Sequence, residues 1–117
     1  MTYNNGDLAG LLGLTEASIR QWLCRAPTFR LGAVRGKARI YNHIEAVTIA
    51  IAAELFRHRL GRPHEVLPIA RQIATSGVDA IWVYRPQGGP ITTATDQPAG
   101  TAVHLPLAEL RRRLSKQ

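Results

Sequence analysis

Six cations, Arg20, Arg25, Arg30, Arg35, Lys37 and Arg39, fall within residues 16–39, a stretch that holds one acid, Glu16. Side chains of this kind neutralise phosphates, and arginine also pairs bidentately with guanine O6 and N7. Gln21, beside Arg20, offers the corresponding pair for adenine N6 and N7. Successive helix residues point about 100° apart, so the two need not both read bases. Other chemistries find little support. His43, His58, His64 and His104 share no ligand spacing, and the acids are scattered, so no metal or paired-carboxylate site is expected. Gly88-Gly89, between Pro86 and Pro90, reads as a turn and lacks the lysine of a phosphate loop. Cys24 beside Arg25 reads as a small residue near a helix core. No nucleophile–base constellation is present, and neither enzyme nor cofactor is expected.

The whole chain carries the same sign. Its 117 residues hold 15 Lys+Arg against 8 Asp+Glu, a net charge of +7, with 45% apolar residues and a single cysteine. Nucleic acid is the commonest partner for such a field; codon usage favouring arginine is the alternative reading. A second cluster, Arg111-Arg112-Arg113 with Lys116, reads as a solvated last helical turn. One cysteine excludes an internal disulfide framework and suits the reducing cytoplasm. No apolar run reaches membrane-spanning length and the first residues lack a leader pattern, so neither membrane nor secretion is expected.

The elements that would position these residues follow from spacing. Asn5 caps a helix from Gly6 to Leu12, with Leu8, Leu11 and Leu12 on one face and Gly13 as its C′ residue. Thr15 caps a second helix, Glu16 to Cys24, whose Ile19, Trp22 and Leu23 face inward. Pro27 follows. Strands at Phe29–Gly32 and Ala38–Tyr41 flank a basic turn, 33–37. Asn42 and Glu45 form a capping box on a helix reaching about His58, and Pro63 opens another to Thr75. After Ser76-Gly77 come strands at Ile81–Tyr84, Ile91–Thr95 and Thr101–Leu105, then a helix from Leu107 to Leu114. The expected fold is mainly α with small β: a winged helix-turn-helix head over residues 1–76, ending in a helix pair, then a β-meander and short helix over 77–117. A sheet that small needs cover, from the head or from a second copy. The tail is expected to take the second, with Ile81, Trp82, Val83, Tyr84, Ile91, Val103 and Leu105 as a homodimer contact.

Gly6-Asp7-Leu8-Ala9, Leu12-Gly13-Leu14-Thr15, Ile19-Arg20-Gln21-Trp22 and Arg35-Gly36-Lys37-Ala38-Arg39-Ile40-Tyr41-Asn42, followed by a long helix, resemble the MerR-like winged helix-turn-helix superfamily over about residues 3–76. That grouping includes phage repressors, excisionases and terminase small subunits. The resemblance implies a helix at 16–24 in a DNA major groove and a wing at 29–41 on the adjacent backbone or minor groove. The implied contacts are Thr15, Glu16, Ala17, Ser18, Arg20, Gln21 and Arg25 from the helix, and Arg35, Gly36, Lys37, Arg39 and Tyr41 from the wing. Tyr41 and Trp22 also fit the core. MerR regulators end in a dimerising coiled coil, often with metal ligands or a drug-binding domain. The tail here departs from that pattern, so effector sensing is not implied. The expected function is a homodimeric DNA-binding transcription regulator, a repressor. An excisionase- or terminase-type architectural protein and a protein–protein adaptor are the alternatives.

Overall fold

The computed structural model describes residues 2–115. Strand β1 (Tyr3–Asn4) leads directly into α1 (Asn5–Leu12). Asn4, not Asn5, is the N-cap: its Oδ1 accepts from Asp7 N–H at 2.8 Å, while Asp7 Oδ2 accepts from Asn4 N–H at 2.9 Å. The cap moves because Tyr3 and Asn4 pair with a later strand, Tyr3 opposite Tyr41, 38 residues on. Gly13 closes α1 at φ 67°, and Thr15 caps α2 (Glu16–Cys24), as its sequence indicates.

The hairpin differs from expectation. Phe29–Gly32 does not form a strand; β2 is Ala33–Arg35 and β3 is Ala38–Tyr41, with Arg35 opposite Ala38. The turn is therefore only Gly36-Lys37. Gly36 has φ 63° and Lys37 no positive φ, the pattern of a two-residue turn with glycine first. Extension stops at Gly32, whose φ is 78°, because Leu31 turns into the core and the Gly32 N–H donates to Glu45 Oε2 at 2.6 Å. β3 lies between β1 and β2 in this antiparallel sheet.

Helix α3 (His43–Arg57) is buried without interruption from Ala46 to Ala53. A helix apolar all round is a core helix, and α3 is the axis of the molecule. Its one buried hydroxyl, on Thr48, donates to the Ile44 carbonyl at 2.8 Å. Helix α4 (Pro63–Thr75) packs along it, burying Val66, Leu67, Ala70, Ile73 and Ala74. Pro68 lies inside α4, where it leaves a carbonyl one turn earlier without its usual donor.

The tail is not a meander. Strands β4 (Ile81–Tyr84), β5 (Thr92–Ala94) and β6 (Val103–Leu105) are ordered β5-β4-β6, so β6 crosses to the far side of β4. That crossing delivers α5 (Leu107–Ser115) to α3, where Leu107, Leu110 and Leu114 are buried. Gly77 turns the chain at φ 76° where the boundary was expected, yet one hydrophobic core runs through both segments. Within the chain, the head covers the inner face of the tail's sheet.

The proposed dimer residues are accordingly redistributed. Val83, Ile91, Val103 and Leu105 are buried in the chain's own core, and Ile81 packs against it, so these five are not a subunit surface in this arrangement. The reason is strand alternation: Ile81 and Val83 pair with Leu105 and Val103 on the inner face, while Trp82 pairs with His104 on the outer one. Trp82 stacks obliquely on His104 at 4.8 Å, and Tyr84 shares its face.

A clasp joins the α3–α4 link to the tail. Arg85 donates to the Leu60 carbonyl at 3.1 Å and to Glu65 Oε2 at 2.7 Å, and Glu65 Oε1 also accepts from Arg62 N–H. The Arg85 hydrogen bond, then the Arg62 N–H, hold the Glu65 carboxyl down at about 2, against an ordinary 4.5. A lowered pKa contributes stability above pH 4.5 that disappears as the pH falls towards 2. Acid titration of unfolding should therefore show this loss in the native chain, and Glu65→Gln should flatten that part of the profile. At Gly32, an added Cβ would stand 2.9 Å from Arg39 Cγ and the Tyr41 ring at a positive φ. Gly32→Ala should lower the unfolding free energy by about 2 kcal/mol or more in denaturant melts.

Candidate nucleic-acid interface

Helix α2 is fixed by its inner face. Ile19 is fully buried, and the half-buried Trp22 meets Phe56 of α3 at 4.7 Å. That orientation leaves Glu16, Ala17, Arg20, Gln21 and Cys24 exposed as one stripe at i, i+1, i+4, i+5 and i+8. Cys24, expected near the core, is on this surface. Arg25 caps the C-terminal end of α2 and is exposed. Thr15 Oγ1 accepts from Ser18 N–H at 3.1 Å and lies 2.8 Å from Ser18 Oγ, so these hydroxyls hold the helix start and each other.

Opposite α2 stands the hairpin. Arg35, Gly36 and Lys37 are exposed at its tip, and Val34 is 66% exposed, the most open large apolar side chain described. Arg39 is half-buried and donates to the Leu31 carbonyl at 2.8 Å. Tyr41 is wholly buried and is not a surface contact. It ends β3 beneath α1, where its hydroxyl donates to Asn5 Oδ1 at 2.6 Å. Burial first, with Glu45 assisting and Arg39 opposing, pushes the Tyr41 hydroxyl up to about 12, so it stays a donor at neutral pH.

Between α2 and the hairpin run two adjoining open clefts of about 430 and 420 Å³. Arg20, Lys37 and Arg39 line both, as do Asn5 and Ala38. Arg30, Cys24 and Val34 line the first; Asn4, Gly6 and Glu16 line the second. Of the six clustered cations, four thus edge one depression, while Arg25 and Arg35 lie outside it. Glu16 is the acid at its rim, 4.0 Å from Arg20, with both side chains more than half exposed. An exposed i,i+4 pair contributes only about 0.3–0.5 kcal/mol, so it constrains Arg20 little.

Spacing along the sequence missed part of this site. Asn5 was read only as a cap, yet it lines both clefts. Arg30, one of the six clustered cations, joins the first cleft, carried there by the loop whose carbonyl accepts from Arg71 at 2.9 Å. No local pattern encodes either placement, since both depend on the β1–β3 pairing and on α4. The second basic cluster divides: Arg111 is half-buried and donates to the Val78 carbonyl at 2.8 Å, Arg112 and Arg113 are exposed, and Lys116 lies outside the described residues. Among the described residues no three His, Cys, Asp or Glu side chains gather as a metal site, and no helix is long and apolar enough to cross a membrane. The sequence matches no family model and no curated protein.

Proposed function

We propose that the chain binds double-stranded DNA as a winged helix-turn-helix, with α2 in the major groove and the β2–β3 hairpin on the adjoining backbone, in the manner of the MerR-like superfamily it resembles. The observation that carries this reading is the cleft itself: Arg20, Arg30, Lys37 and Arg39 converge on one depression beside an exposed helix stripe bearing Arg20 and Gln21. A phosphodiester strand supplies the complementary charge, and a helix alongside it enters the major groove. Gln21, which lines neither cleft, then faces base edges, Arg20 takes a phosphate in the cleft, and Arg35 at the hairpin tip reaches the next phosphates. Such a protein regulates by occupancy; repression follows from covering a promoter and needs no catalytic group. One module of this size has a small footprint, so useful affinity calls for a two-fold pair on DNA. Trp82 and Tyr84, on the outer sheet face, are the tail's remaining apolar residues for that contact.

Duplex affinity measured by anisotropy against salt tests the reading. The log–log slope of the native chain should be about −4 per subunit, and Arg20→Ala and Lys37→Ala should each weaken binding and reduce the slope by roughly 1. An adaptor that does not use DNA would show weak, salt-insensitive binding unchanged by either substitution. Cys24, the chain's single cysteine, provides an independent footprint. Bound duplex should slow its alkylation by a bulky maleimide, and prior alkylation should block binding; equal rates with and without duplex would place DNA elsewhere.

A further inference from the structure

Tyr41 and Asn5 form a buried-to-surface pair that the positive charges alone do not explain. The Tyr41 side chain is 0% exposed and comes from β3; Asn5 is half-buried and begins α1, 36 residues earlier. Their hydrogen bond, 2.6 Å from hydroxyl to Oδ1, occupies the acceptor end of the amide. An asparagine amide also carries two N–H donors on Nδ2. No acceptor among the described residues takes them. Asn5 lines both clefts, in company with Arg20, Lys37 and Arg39. A neutral donor pair, locked at its other end by a buried hydroxyl and surrounded by cations, is suited to an anionic oxygen.

We propose that Asn5 donates its amide N–H to a backbone phosphate oxygen of the duplex lying in the α2–hairpin cleft, and that Tyr41 is the positioning residue that holds the amide in that orientation. This rests on the DNA-binding reading above and adds to it a contact that carries no charge. Tyr41 touches no DNA; it acts by fixing which end of the amide faces outward. Without its hydroxyl the amide is free to turn its oxygen towards the phosphate, where two acceptors would meet.

The experiment is anisotropy titration of the full-length chain with a short random-sequence duplex, at salt from about 50 to 200 mM, because phosphate contacts do not depend on base sequence. Asn5→Ala and Tyr41→Phe should each weaken binding about fivefold, the worth of one ordinary hydrogen bond. Asn5→Asp, with an acceptor and a negative charge in place of the donors, should lose more than Asn5→Ala. The salt slope should stay at the native value in Asn5→Ala, since a neutral donor displaces no counterion, whereas Lys37→Ala should reduce it. In the Asn5→Ala background, Tyr41→Phe should cost nothing further; a purely structural tyrosine would weaken both backgrounds equally. Thermal melts set the working temperature below unfolding for every variant, and Asn5→Ala, which opens no core, remains decisive if Tyr41→Phe folds poorly. Native binding that Asn5→Ala leaves unchanged overturns the phosphate contact. Losses that add in the double variant overturn the positioning role. Failure of the native chain to bind duplex at all overturns the DNA reading and this contact with it.

Discussion

Glu45 accepts the Asn42 N–H on Oε1 at 2.9 Å and the Gly32 N–H on Oε2 at 2.6 Å. The first bond closes the cap of the central helix; the second pins the loop from which the hairpin departs. Hydrogen bonds to a carboxylate are about twice as strong as neutral ones, and this one joins elements that share no other regular pairing. Gly32 meets the constraint with φ 78° and no side chain, because any Cβ there would press on Arg39 and Tyr41. That carboxylate and that glycine, with the β1–β3 pairing, set the stance of β2 and β3 relative to α2. The cleft is the space between those elements.

Where local chemistry suffices, the chain's letters locate the element to the residue. Thr15 and the 16–24 helix, the Asn42–Glu45 box, and Pro63 at the head of α4 are all present as spacing indicates, because a cap needs only residues three apart. Departures occur where a distant partner decides. Asn5 lost its cap role to Asn4 once β1 paired with β3. The first hairpin strand slid from 29–32 to 33–35 once Gly32 was claimed by Glu45. The tail's strands were visible as β-rich runs, but the β5-β4-β6 order was not, since a crossover leaves no mark on composition. The site shows the same division: Arg20, Arg30 and Lys37 announce themselves by charge, whereas Asn5 and Cys24 reach the cleft by tertiary placement.

The electrostatics of that cleft favour exchange over permanence. The Arg20–Glu16 pair is exposed and long, so breaking it costs little. Arg39 is more committed, since its Nη1 is fixed on the Leu31 carbonyl, leaving its other N–H donors to face the cleft. One wall of the cleft is thus adaptable and the other is set. The Arg85–Glu65 clasp, by contrast, is a structural pair: it carries two further backbone hydrogen bonds, lines neither cleft, and ties the α3–α4 link to the tail.

The tail contributes to the cleft although no tail residue lines it. Helix α5 buries Leu114 against α3, and the Leu114 carbonyl accepts the Tyr3 hydroxyl at 2.8 Å. Tyr3 is itself buried and sits opposite Tyr41 in the β1–β3 register. Tyr41 in turn holds Asn5 at the cleft floor. A continuous series of contacts therefore runs from the C-terminal helix, through the first strand, to the cleft. Strand β1 has only two residues and two register pairs, too few to persist without that anchorage. The small sheet and α5 are then better understood as the brace for the first strand than as a separate module, which accounts for one core extending through both halves of the chain.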